Sequence, residues 1–158
     1  MSNFANRVKE KVNKSAGSSF WKLFELTSSD ILTTAADLTS AANGDLIVEQ
    51  CILMTDATGL AGGTNFEISV SGETYGENKP LVEAVGNLSA SVTRSLINTG
   101  PDSTNDRFLS VTGVPFVLQA GDKLQYGSSV AVCTGTGKIL IAVKFVRVTD
   151  GADIKSAL

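Results

Sequence analysis

The chain contains no histidine. That absence excludes a Ser-His-Asp triad, a Cys-His pair and any zinc site that draws on imidazole. It also removes the commonest general acid–base near neutral pH, so catalysis would have to rest on carboxylates, lysine or tyrosine. Proline occurs three times and no glycine triplet repeats, which excludes collagen-like and proline-rich low-complexity classes. Charged side chains make up only 18% of the residues, against about 25% in an average soluble domain. No apolar run approaches the roughly 18–20 residues of a membrane helix, and the N-terminus has no apolar run of signal-peptide length. The two cysteines, Cys51 and Cys133, are far apart in sequence and lie in apolar segments. They are expected to be buried, reduced thiols of a protein made in a reducing cytoplasm.

What is present is apolar and glycine-rich: 42% hydrophobic residues and 15 glycines in 158 positions. This length suits one domain, able to bury roughly two thirds of its unfolded surface. Charge is unevenly spread. Residues 1–22 carry Arg7, Lys9, Lys11, Lys14 and Lys22 against Glu10, a net of +4, whereas the remainder carries 8 basic and 15 acidic groups, a net of −7. The pattern reads as a basic arm, residues 1–19, on an acidic body, residues 20–158. Within the arm Phe4, Val8 and Val12 recur at i, i+4 and i+8, a narrow stripe that supports about three helical turns, marginal in isolation. The run Ser15-Ala16-Gly17-Ser18-Ser19 is expected to form a hinge.

From Phe20 onward short apolar runs alternate with turn signals. Strands are expected over 46–54, 66–70, 81–85, 88–97, 114–118, 123–126, 129–133 and 138–148, with 20–26 as an apolar, aromatic run. Phe20, Trp21 and Phe24 are expected in the core, with a subunit contact as the alternative. The stretch from Ser28 to Ala42 fits either a helix over 30–38 or a winding loop. Thr134-Gly135-Thr136-Gly137 is expected to join two strands as a hairpin, and Ala120-Gly121-Asp122 to form a tight turn. Eight or nine strands without long helices between them exclude a parallel βαβ sheet. They point to an all-β antiparallel sandwich or jelly roll with an extended or short-helical N-terminal arm.

No segment nominates a catalytic, cofactor or metal site. The loop Gly59-Leu60-Ala61-Gly62-Gly63-Thr64 lacks the GK[ST] ending of a phosphate loop and leads into a strand. Asp102-Ser103-Thr104-Asn105-Asp106 is rich in oxygen ligands but lacks the calcium-loop pattern, and Glu49, Glu67 and Glu83 are expected to face solvent. The acidic body would repel phosphate, which argues against a nucleic-acid partner, and nothing suggests a membrane.

Three segments carry a resemblance: LIVEQCILMTDATGLAGGTNFEISV, PFVLQAGDKLQYGSS and VCTGTGKILIAVKFVRV, which fall between about residues 44 and 148. Together they resemble small jelly-roll virion proteins of tailed bacteriophages, of the capsid decoration (cement) type. The resemblance implies a non-enzymatic structural protein on the virion's capsid surface. Its partner would be the major capsid protein, and it would act as a homo-oligomer, a trimer. Phe4, Val8 and Val12 would then anchor the arm on the shell, and Arg7, Lys9, Lys11 and Lys14 would steer it. A tail, baseplate or fibre module and a carbohydrate-binding sandwich are the alternatives. The last normally shows exposed aromatics, and only Trp21, Tyr75 and Tyr126 are available beyond the phenylalanines.

Overall fold

The computed structural model describes residues 14–62, 66–72, 76–85, 93–95, 116–128 and 131–158. These residues are all-β, with antiparallel pairing throughout and no helix among them. The strands are β1 (Ser19–Thr27), β2 (Ala36–Ala42), β3 (Leu46–Thr55), β4 (Ala61–Gly62), β5 (Phe66–Gly72), β6 (Gly76–Val85), β7 (Thr93–Ser95), β8 (Phe116–Leu118), β9 (Lys123–Ser128), β10 (Cys133–Thr134), β11 (Lys138–Arg147) and β12 (Asp153–Ser156). One five-stranded sheet runs β1-β11-β3, with β7 and β8 sharing the far edge of β3. The other runs β12-β2-β9-β5-β6, and β10 pairs with β4 in a small ribbon.

The period-two pattern decides which faces are buried. In β11, Ile139, Ile141, Val143 and Phe145 are fully buried, while Leu140, Ala142, Lys144 and Val146 are half-buried on the opposite face. Phe24 and Leu26 of β1 join the same core as Leu53 of β3 and Leu38, Phe66, Ile68, Val70 and Leu124 of the second sheet. Both large sheets thus feed one apolar cluster, an arrangement compatible with a β-sandwich. Each large side chain buried there contributes about 1.5–3 kcal/mol.

The segment LIVEQC keeps its phase through a bulge. Lys144 of β11 lies opposite Gln50, but the next residue, Phe145, lies opposite Val48, so Glu49 is the extra residue. The bulge lets Val48 and Cys51 both face the core although they are three residues apart. Cys51 and Cys133 are buried free thiols. Burial pushes the Cys51 thiol up to about 12 and raises that of Cys133.

Two expectations are revised. The stretch from Ser28 to Ala42 is a turn followed by β2. Asp30 ends β1 by accepting hydrogen bonds from the Thr27 amide and hydroxyl, each at 2.7 Å. The Thr134–Gly137 segment does not join a hairpin: β10 pairs with β4, and β11 pairs with β1 and β3. At the end of this segment two glycine backbones pack closely, and a Cβ at Gly137 would collide with the main chain of Gly59. The turn at Ala120–Asp122 is as expected: Gly121 has φ 98° and its amide donates to the Ala41 carbonyl, at 2.9 Å. Of the strand expected over 88–97, residues 93–95 are described and extended.

Candidate interaction surface

Six of the seven residues assigned to partner binding, Phe4, Arg7, Val8, Lys9, Lys11 and Val12, lie outside the described residues. Lys14 is described, and it serves the body. Its ammonium lies 3.0 Å from the Asp153 carboxylate, and its carbonyl accepts from the Gly151 amide at 2.7 Å. Burial pushes the Asp153 carboxyl up, but Lys14, the Ile154 amide and the charge of Arg147 outweigh that and hold it below the usual range.

The following residues continue this anchorage. The Ala16 amide donates to Asp150 at 2.8 Å, the Gly17 amide to the Arg147 carbonyl at 2.7 Å, and the Arg147 amide to the Ser18 carbonyl at 2.9 Å. The buried guanidinium of Arg147 reaches back the other way. Its Nε donates to the Ala152 carbonyl at 2.7 Å and its Nη1 to Ser18 Oγ at 3.1 Å, and it sits 4.3 Å from the centroid of Phe20. Phe20 in turn stacks on Phe145, centroids 5.4 Å apart. The segment expected as a hinge is therefore a turn bonded to residues 147–153.

Immediately beyond this turn lies the outward face of the first sheet. Phe24 and Leu26 take the inner phase of β1, so Trp21, Leu23 and Glu25 take the outer one. Trp21 is 51% exposed and Leu23 56%. The expectation of a core tryptophan is corrected: Phe24 is core, Phe20 packs against the core, and Trp21 faces out. Opposite Trp21 and Leu23 on β11 stand Lys144 and Ala142. Beyond Ala142 on β3 stands Ile52, and beyond Leu140 stands Met54. The face is thus apolar across three strands, with charges only in compensated pairs among the described residues. Lys138 meets Glu25 at 2.6 Å and Lys144 meets Glu49 at 2.5 Å. Glu49 keeps its side chain 42% exposed, on the solvent side as expected, and is paired there with Lys144.

The polar loops have structural work. Asp56 accepts amide hydrogen bonds from Gly59 at 2.7 Å, Thr58 at 3.0 Å and Lys138 at 3.0 Å. The Gly59 bond above all holds its carboxyl below the usual range. The glycine loop, as far as it is described, is a capped turn packed against Gly137. Of the aromatics weighed for a glycan site, Tyr126 is buried, Trp21 is exposed, and Tyr75 lies outside the described residues. Asp102–Asp106 also lies outside them. Among the described residues no three His, Cys, Asp or Glu side chains are grouped so as to hold a metal ion, and no helix is long and apolar enough to cross a membrane.

No known protein family matches the chain, and no curated protein or solved structure shows significant similarity to it. The sequence held a signal for the surface: Glu25 is in phase with Trp21 and Leu23. Lys22, in phase with the core residues, obscured it. As β1 lies at the end of its sheet, Lys22 is exposed despite that phase.

Proposed function

We propose that the protein is a non-enzymatic structural component of a tailed-phage virion. In this reading it is a jelly-roll decoration protein that binds the major capsid protein on the outside of the shell, acts as an oligomer, a trimer in the arrangement the resemblance implies, and engages the lattice through residues 1–13. One observation carries the reading. An acidic β body presents a broad apolar face with no net charge, and the root of a basic segment is bonded into place at the end of that face's edge strand. Such a body suits adhesion, because several weak contacts presented together on a repeating surface add by avidity. The basic segment would add electrostatic steering toward an acidic shell.

The test is co-sedimentation of the purified protein with intact capsids of the phage whose genome encodes the chain. Full-length protein is expected to pellet with particles to saturation. A variant without residues 1–13 should keep its thermal unfolding midpoint and lose most of its binding. Absence of full-length protein from the particle fraction overturns the reading. Undiminished decoration by the truncated chain overturns the role of the arm.

A further inference from the structure

We infer that the outward face of β1, β11 and β3 is the surface through which one copy of this chain packs against another. Three observations point to a second copy as the occupant. The first is exposure of large apolar groups on an edge. Trp21 and Leu23 are more than half exposed on a nine-residue strand, and among the described residues no strand pairs with its free side. An edge that exposes groups of this size associates with other chains unless something covers or blunts it, and along this one Lys22 is the exposed cation.

The second is charge. Residues 23–158 carry a net of −7, so two bodies repel over most of their surface. On this face Glu25 is neutralised by Lys138 and Glu49 by Lys144. The face is therefore neutral, and two copies can meet there without like-charge contact. Residues 1–13 carry three basic side chains and one acidic, and would find no unpaired carboxylate on it among the described residues.

The third is size. A patch about 30 Å along the strands and about 14 Å across the three of them, from the usual strand rise and spacing, offers on the order of 400 Å² per copy. Two such patches bury roughly 850 Å², the range of weak, concentration-dependent association. Leu140, Ala142 and Ile52 form its floor, with the small Ala142 opposite Leu23.

The experiment is sedimentation equilibrium of the full chain over a wide concentration range, without particles, together with emission from Trp21, the only tryptophan. The expected result is a discrete assembly of two or three copies, with the emission shifting to the blue as it forms. Leu23→Glu should weaken association at least tenfold while far-ultraviolet dichroism stays unchanged. Leu158→Glu, which alters an exposed apolar residue beyond β12 on the other sheet, should leave association intact. A monomer at every concentration overturns the inference, as does a Leu23→Glu variant that associates normally. It is also overturned if removal of residues 1–13 exposes Trp21 to quencher in a protein that is monomeric throughout, for then the chain's own segment is the cover. Because no capsid enters the measurement, self-association without decoration sinks the virion reading alone, and decoration by a monomer sinks this inference and the oligomer within that reading while capsid binding stands.

Discussion

Asp56 and Gly137 show how single residues close the body at the start of β11. The Asp56 carboxylate gathers the amides of Thr58, Gly59 and Lys138, tying the loop after β3 to the start of β11. Its folded pKa lies below the ordinary value of 3.8, so the stability it provides is complete above that value and is lost as pH falls through the depressed folded pKa. Asp37 and Asp153 carry the same sign. For Asp37, burial pushes the carboxyl up, but the hydrogen bonds from Lys123 and Gln125 and the charge of Lys123 bring it below the usual range. The urea midpoint should therefore be level from neutral pH to about pH 5 and decline below about pH 4. Asp56→Asn should lower the midpoint at neutral pH and flatten the acid decline, since an amide nitrogen cannot accept the bonds the lost oxygen accepted. Gly137 is a stricter case. The nearest atoms to an added Cβ belong to the Gly59 backbone, which cannot swing aside as a side-chain end would. Gly137→Ala should cost about 3 kcal/mol by urea unfolding, whereas Gly121→Ala, with open space around its Cβ but a positive φ, should cost about 1 kcal/mol.

At the level of elements, a strand shows itself in sequence when its two faces differ. The core phase of β11 is legible because Ile139, Ile141, Val143 and Phe145 alternate with a mixed set that includes Lys144. In β1 both phases are largely apolar and the one clear cation falls in the core phase, so period alone could not say which side Trp21 takes. The small ribbon of β4 and β10 was illegible for another reason. Two-residue strands carry no period, and their partnership spans some 70 residues of chain. The turn from Lys14 to Ser18 looked like a linker because its composition is small and polar. Its order comes from partners at 147–153, which local sequence does not show. The consequence is measurable in truncations. Removing residues 1–13 leaves the described bonds from Lys14, Ala16, Gly17 and Ser18 to residues 147–153 in place and should not change stability by more than about 0.5 kcal/mol. Removing residues 1–18 takes away the Ser18 contacts of Arg147 and the amide of Gly17, and leaves a buried guanidinium short of a partner. That variant should lose about 2 kcal/mol. Equal stability of the two truncations would show that the turn is not part of the body.

For the molecule as a whole, charge sorts its two proposed attachments. The all-β class was legible from strand spacing and the absence of helical stretches. The pairing of the first strand with β11, more than a hundred residues away, was not, because long-range pairing leaves no mark in either strand alone. The same separation of local from global governs function. Residues 1–22 are basic and the rest of the chain is acidic, while the exposed sheet face is neutral. An attraction between a basic segment and an acidic shell weakens as salt shortens the screening length from about 10 Å at 0.1 M to about 3 Å at 1 M. Burial of apolar surface gains no screening penalty and is strengthened by excluded salts such as sulfate. Raising sodium chloride across that range should release the protein from capsids, with an affinity loss of about tenfold or more. Self-association measured in the same buffers should hold or tighten, because salt screens the repulsion between acidic bodies, and in sodium sulfate it should tighten further. If both equilibria weakened together, the face would be held by charges between copies, and the closed pairs of Glu25 with Lys138 and Glu49 with Lys144 would have to open toward a neighbour.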